Sequence, residues 1–197
     1  MKQALIIKSS ILGDYSQSNA LIESIKPKLN NFHLIERDLA QDPVPLLDGD
    51  TLFALNSDQE NAIKNLADSL LAEVKDSDLI ILAAPMYNFS VPTQMKAWLD
   101  LLCRAGVTFQ YTEHGPVGML DNKPVLIITS RGGQHQGQAS DLIAPYLTQI
   151  LGFIGIHDLK FIYAEGLNMG SEQDKNAVLS QAVLDISAYL DGKLAIA

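Results

Sequence analysis

The chain has 197 residues, 47% of them hydrophobic and 19% charged, which suits a folded domain with a full core and not a disordered segment. A formal net charge of −9 with no compact basic patch argues against a nucleic-acid partner, whose phosphates are neutralised by Lys and Arg. The single cysteine excludes an intramolecular disulfide and a Cys-based metal cluster, and no metal site is expected.

Residues 3–7 (Gln-Ala-Leu-Ile-Ile) read as a first strand, and the N-terminal stretch is too short for a signal peptide. No span approaches the ~20 apolar residues that a membrane helix needs, so no membrane partner and a cytoplasmic location are the expectation. Leu21, Ile22, Ile25 and Leu29 form a helical stripe that Pro27 kinks or ends. A second strand is expected over residues 33–36, followed by a loop through Asp42-Pro43-Val44-Pro45 and Leu47-Asp48-Gly49-Asp50. Ile63, Leu66, Leu70 and Val74 then keep helical spacing.

Residues 79–84 are a continuous apolar run, as a strand covered on both faces should be. A helix with Met95, Leu99 and Leu102 on one face follows from Pro92, and Gly106 can terminate it. Cys103 on that helix reads as a small buried hydrophobe. Residues 107–121 form an extra segment, either a small hairpin or an excursion over a site. Strands over residues 124–129 and 159–164 bracket a helix carrying Leu142, Tyr146, Gln149 and Ile150. Ser171 can cap a last helix with Val178, Ala182, Ile186 and Tyr189 along one face. Five strands alternating with helices predict an α/β fold: a flavodoxin-like, doubly wound parallel sheet in the order 2-1-3-4-5, with helices on both faces.

In such a sheet, ligands bind at the carboxyl ends of the strands. The loop over residues 9–19 carries the hydroxyls of Ser10, Ser16 and Ser18 just before a helix, whose free N–H groups and dipole favour a phosphate. Serines there also serve as ordinary caps. With neither a P-loop lysine nor G-x-G-x-x-G, a nucleoside triphosphate or a dinucleotide is not the expected ligand. A receiver-type acidic pocket is excluded too, because Lys8-Ser9-Ser10 and Pro85-Met86 end the first and third strands without a carboxylate.

After the third strand, Met86, Tyr87, Asn88 and Phe89 offer two aromatics and an amide, which suit a flat, hydrogen-bonding ring such as a flavin. Met and Phe also suit a core, and Asn a plain turn. The third loop, Ser130-Arg131-Gly132-Gly133-Gln134-His135, has two glycines whose freedom allows positive φ and close approach of backbone N–H groups to a ligand. A simple glycine turn fits these residues equally well. All three loops fall on one edge of the predicted sheet.

Lys8-Ser9-Ser10, Ser16-Gln17-Ser18, Pro85-Met86-Tyr87-Asn88-Phe89, Arg104-Ala105-Gly106-Val107-Thr108-Phe109, Ser130-Arg131-Gly132-Gly133 and Gly152-Phe153-Ile154-Gly155 together resemble the FMN-dependent NADH:azoreductase/quinone reductase family over nearly the whole chain. The resemblance implies one FMN-binding domain over residues 1–197. Ser10, Ser16, Gln17 and Ser18 would hold the phosphate; Met86, Tyr87, Asn88, Phe89, Ser130, Arg131, Gly132 and Gly133 would hold the ribityl chain and ring. It further implies NADH or NADPH as donor, quinones and azo compounds as acceptors, ping-pong hydride transfer, and a homodimer with shared sites. Tyr111, Phe153 and Tyr163 would then line the substrate pocket, although each also suits a core. His135 is the candidate for polarising the flavin or an acceptor oxygen, and equally a solvated loop histidine. A flavodoxin-type electron carrier without its own small-molecule acceptor is the rival expectation, and a flavin-free binding domain is a second. Two departures from the family pattern stand out: a short segment over residues 48–60 and Pro27 within the first helix.

Overall fold

The computed structural model describes residues 1–196. Strands β1 (Lys2–Lys8), β2 (Phe32–Asp38), β3 (Leu79–Ala83), β6 (Val125–Ser130) and β7 (Leu159–Ala164) form one parallel sheet in the order β2-β1-β3-β6-β7. This is the expected 2-1-3-4-5 order once β4 (Phe109–Thr112) and β5 (Gly115–Gly118) are set apart as an antiparallel hairpin. The hairpin settles the form of the segment over residues 107–121.

Every residue of β3 and β6 is buried, and alternate side chains feed two cores. Leu5, Ile7, Ile80, Leu82, Val125 and Ile127 face one side. There they meet Leu70 and Val74 of α3 (Ala62–Asp76), Trp98 and Leu102 of α4 (Thr93–Leu102), and Leu147 and Leu151 of α5 (Ile143–Phe153). Ala4, Ile6, Ile81, Leu126 and Ile128 face the other side, against Leu21, Ile22 and Ile25 of α1 (Gln17–Ile25) and Ala182, Ile186 and Leu190 of α6 (Glu172–Ile196). Burying a Leu or Ile side chain contributes about 1.5–3 kcal/mol, so these two cores hold the strand ends, and hence the loops beyond them, in fixed register.

Several expectations are refined. Pro27 does end α1: the chain tightens into a 3₁₀ turn over Lys26–Leu29. The loop expected through Asp48-Gly49-Asp50 instead starts helix α2 (Gly49–Leu55), because the Asp48 carboxylate accepts from the Thr51 N–H at 2.8 Å and caps it. Helix α4 stops at Leu102, before Gly106; the Thr108 hydroxyl donates to the Leu102 carbonyl at 2.6 Å and satisfies the helix end. The buried face of α5 is Ile143, Leu147 and Leu151, one residue on from the predicted stripe, and Leu142 lies exposed at the cap. Ser171 caps α6 as expected, accepting from Asp174 N–H at 3.2 Å while its own N–H donates to the Asp174 carboxylate.

The hairpin packs backbone to backbone on the turn after α5. A Cβ on Gly155 would lie 2.5 Å from the Leu120 carbonyl oxygen, and its φ of +109° suits glycine alone.

Candidate functional site

The loops that follow β1, β3, β6 and β7 meet at the carboxyl edge of the sheet around a cavity of about 430 Å³. Ser10, Ser16, Gln17, Met86, Tyr87, Ser130, Arg131 and Gly132 line it. A smaller cavity of about 240 Å³ is lined by Met86, Asn88, Phe89, Gly132 and His135. Met86 and Gly132 line both, so the two form neighbouring parts of one groove.

The first loop is tied to the second by a 2.7 Å hydrogen bond between Ser10 Oγ and Tyr87 Oη. Ser16 is the N-cap of α1: its Oγ accepts from the Asn19 N–H at 3.2 Å and lies 3.2 Å from Ser18 Oγ. Ser18 is fully buried, its Oγ against that of Ser16, and it borders neither cavity. The N–H groups of Gln17 and Ser18, at the first two helical positions, have no intrahelical acceptor by construction.

The second loop is strained. Tyr87 and Ser90 exchange two backbone hydrogen bonds of 3.0 Å across a turn in which Asn88 (φ 50°) and Phe89 (φ 66°) are both left-handed. That conformation costs a non-glycine residue about 1–2 kcal/mol, and such cost collects at ligand sites. It leaves Phe89 about half exposed and edge-on to His135, with ring centroids 5.6 Å apart.

In the third loop, the carbonyls of Arg131, Gly132 and Gly133 accept from the N–H groups of Leu167, Asn168 and Gly166 at 2.9–3.1 Å. Among the described residues, nothing accepts from the N–H of Gly132 or Gly133. Neither glycine adopts the positive φ that the sequence allowed. A Cβ on Gly132 would meet Asn168 Nδ2 at 2.5 Å, and one on Gly133 would meet His135 Nε2 at 2.9 Å.

Arg131 anchors this loop from below. Its fully buried guanidinium donates to Asp141 at 2.7 Å, Glu165 at 3.0 Å and Thr129 Oγ1 at 3.1 Å, and lies 4.9 Å from the Tyr163 ring centre. Glu165 also accepts from the backbone N–H groups of His135 and Gln136, both at 2.9 Å. The Arg131 charge is therefore matched inside the protein, although the residue borders the larger cavity. His135 Nδ1 lies 2.9 Å from Ser140 Oγ. With Ser140 as donor, the ring proton sits on Nε2, above Gly133.

Tyr111, Phe153 and Tyr163 border neither cavity of the single chain. Tyr111 is 74% exposed on β4, edge-on to Phe109. Phe153 packs on Phe109 with centroids 4.2 Å apart, beneath the hairpin. Tyr163 lies against Arg131, where burial and then the Asp141 charge push its phenol up to about 12. Leu167, Asn168 and Lys175, which sequence patterns did not single out, do line the larger cavity. Their signal was topological: the loop after the last parallel strand, which carries Leu167 and Asn168, and the start of α6 beyond it, which carries Lys175, open on the same edge as the other three loops. Among the described residues, no helix is long and apolar enough to cross a membrane.

A donor-rich end at the α1 N-terminus, a channel past Tyr87 and Asn168, and an aromatic end with free backbone N–H groups fit a ligand with a phosphate, a polar chain and a flat ring. Comparison with known proteins points the same way. The flavodoxin-like fold family matches residues 2–190. An FMN-dependent NADH:quinone oxidoreductase of Vibrio vulnificus is 49% identical over 177 residues, covering 87% of this chain and 91% of its own. One from Shewanella denitrificans is 48% identical over 198 residues, covering 97% and 98%. The solved FMN-dependent NADH-azoreductase of Bacillus anthracis, in complex with FMN, superimposes with a TM-score of 0.84 over 97% of this chain and 98% of its own. At 23% identity, that likeness speaks for the fold.

Proposed function

Because the chain belongs to the flavodoxin-like fold family, in which its relatives at about half identity are FMN-dependent NADH:quinone oxidoreductases, we propose that it binds FMN and uses NADH to reduce quinones and cleave azo compounds. The observation that carries this reading is the convergence of the loops after β1, β3, β6 and β7 on one groove with serine hydroxyls at one end and aromatics at the other. When bound, FMN supplies the redox chemistry, taking a hydride from the nicotinamide and passing the electrons to the acceptor.

The protein binds and orients. The first turn of α1, with Ser10 and Ser16, receives the phosphate through N–H and hydroxyl donors. Tyr87 and Asn168 would hold the polar chain, and the N–H groups of Gly132 and Gly133, without acceptors of their own among the described residues, would serve as donors to the ring. Asn88 and Phe89, held left-handed, close one side of the ring site, while His135 offers Nε2 to an oxygen there. On this reading nicotinamide donor and acceptor would use the same face of the flavin in turn, so turnover would be ping-pong. A quinone takes one round and an azo bond two.

The chain acts as one FMN-binding domain and works in the cytoplasm. It also pairs as a homodimer in which Tyr111, exposed on its hairpin, reaches the partner copy's groove while Phe153 and Tyr163 support the surrounding shell. Purified protein should be yellow, bleach with NADH, recolour with benzoquinone, and decolourise an azo dye with two NADH consumed per bond. NADPH in place of NADH tests donor choice, and sedimentation at twice the 21.5 kDa chain mass tests pairing. Flavin that bleaches with NADH but turns over neither acceptor would mark an electron carrier instead.

A further inference from the structure

Two cations line the larger cavity, Arg131 and Lys175. Arg131 is buried and matched by Asp141 and Glu165, so its charge is not available to a ligand. Lys175 differs. It stands one turn into α6, keeps 28% of its side chain exposed, and has a single loose ion pair among the described residues, with Glu172 at 3.4 Å. Its neighbour Asn176 lies with Gln17 along the groove between α6 and α1, so α6 carries position 175 to the first turn of α1. The loop over residues 9–19 contains no Lys or Arg, and the chain as a whole carries −9.

A phosphate dianion at Ser16 and Gln17 would thus meet neutral donors from its own loop and a negative field from the rest of the protein. We infer that Lys175, supplied by the last helix, is the counter-charge for the phosphate end of the bound flavin and makes the site select FMN over uncharged riboflavin. The inference rests on the FMN reading above and assigns to α6 a binding role besides packing on α1. Glu172 is the natural partner that Lys175 exchanges for the phosphate, which explains why their pair is long and exposed.

The test is a titration of the flavin-stripped full chain with FMN and with riboflavin, followed by quenching of flavin fluorescence. Lys175→Met should raise the FMN Kd about tenfold and leave the riboflavin Kd within about twofold, as expected for loss of one charge-assisted contact. Lys175→Arg should restore most of the FMN affinity. Added salt should weaken FMN binding by the wild type more than by Lys175→Met. Equal FMN affinity in wild type and Lys175→Met, or an equal loss for both flavins, would overturn the assignment while leaving the FMN site standing. Failure of the wild type itself to bind FMN would remove the site and Lys175's role together.

Discussion

Replacing Arg131 with Met is the sharpest probe of how the site is held. The guanidinium is fully buried and joins Asp141, Glu165, Thr129 and Tyr163 beneath the third loop. Methionine fills much of the same volume but leaves the carboxylates of Asp141 and Glu165, only 7% and 14% exposed, without their cation. Removing one partner of a buried pair costs about 3–5 kcal/mol, mostly for the charge left behind. In a chain of this size each kcal/mol lowers Tm by about 2–4 °C, so a fall of about 6–20 °C is expected. Glu165 also accepts from the N–H groups of His135 and Gln136, so the loop over residues 132–136 should loosen and FMN should dissociate faster. Thermal melts with and without FMN, together with flavin release on dilution, measure both effects. A variant melting within about 2 °C of wild type and retaining its flavin would refute the view that this cluster anchors the loop.

The double variant Ser16→Ala/Ser18→Ala loses two hydroxyls near the phosphate end and the cap of α1. FMN affinity should fall about ten- to a hundredfold by titration, and stability by about 1 kcal/mol in urea melts. His135→Ala should slow quinone reduction by about 10²-fold while leaving FMN affinity and bleaching by NADH nearly unchanged, as stopped-flow traces of the two half-reactions would show. Cys103 is half-buried, and burial, with the Asp100 charge adding, pushes its thiol up to about 11 from 9.0. At pH 8 its thiolate fraction is then about 100-fold below that of the unfolded chain, so a disulfide reagent should titrate it slowly in the native protein and at once in denaturant. Because the folded-state value is raised, the neutral thiol favours folding below the unfolded value near 9, and that contribution fades as pH climbs from 9 towards 11.

The fold was legible where burial leaves one pattern. Residues 79–84 and 124–129 are nearly continuous apolar runs because both faces of β3 and β6 are covered, and their boundaries shifted by only a residue. Helix α2 was hidden because Asp48-Gly49-Asp50 carries turn residues, and the bond from Thr51 N–H that makes Asp48 a cap exists only once the helix forms. The face of α5 slipped by one because Leu142 and Ile143 are both apolar, and sequence periodicity cannot choose between adjacent stripes. Residues within each loop over positions 9–19, 86–89 and 130–135 could be picked out because each cluster is local. Leu167, Asn168 and Lys175 reach the groove only through the register of β7 and the packing of α6 on α1, a relation that spans most of the chain.

The roles of the third-loop residues follow from that difference between local pattern and assembled structure. Glycine was expected at positions 132 and 133 for positive φ and close backbone approach, yet neither adopts positive φ, and a Cβ at either would press on the side-chain end of Asn168 or His135. Arg131 stands among cofactor-binding residues in the sequence, but its side chain points into the fold and matches two carboxylates. The loop's carbonyls are engaged by residues 166–168, whereas the N–H groups of Gly132 and Gly133 have no acceptor among the described residues. Side chains and carbonyls therefore fix the loop and leave its glycine N–H groups as the donors without an internal partner. With its carbonyls and the Arg131 side chain already engaged, the loop has less ordering left to oppose ligand binding. Arg131, paired with two carboxylates beneath the loop, should therefore affect flavin retention through the loop it holds and not through direct contact.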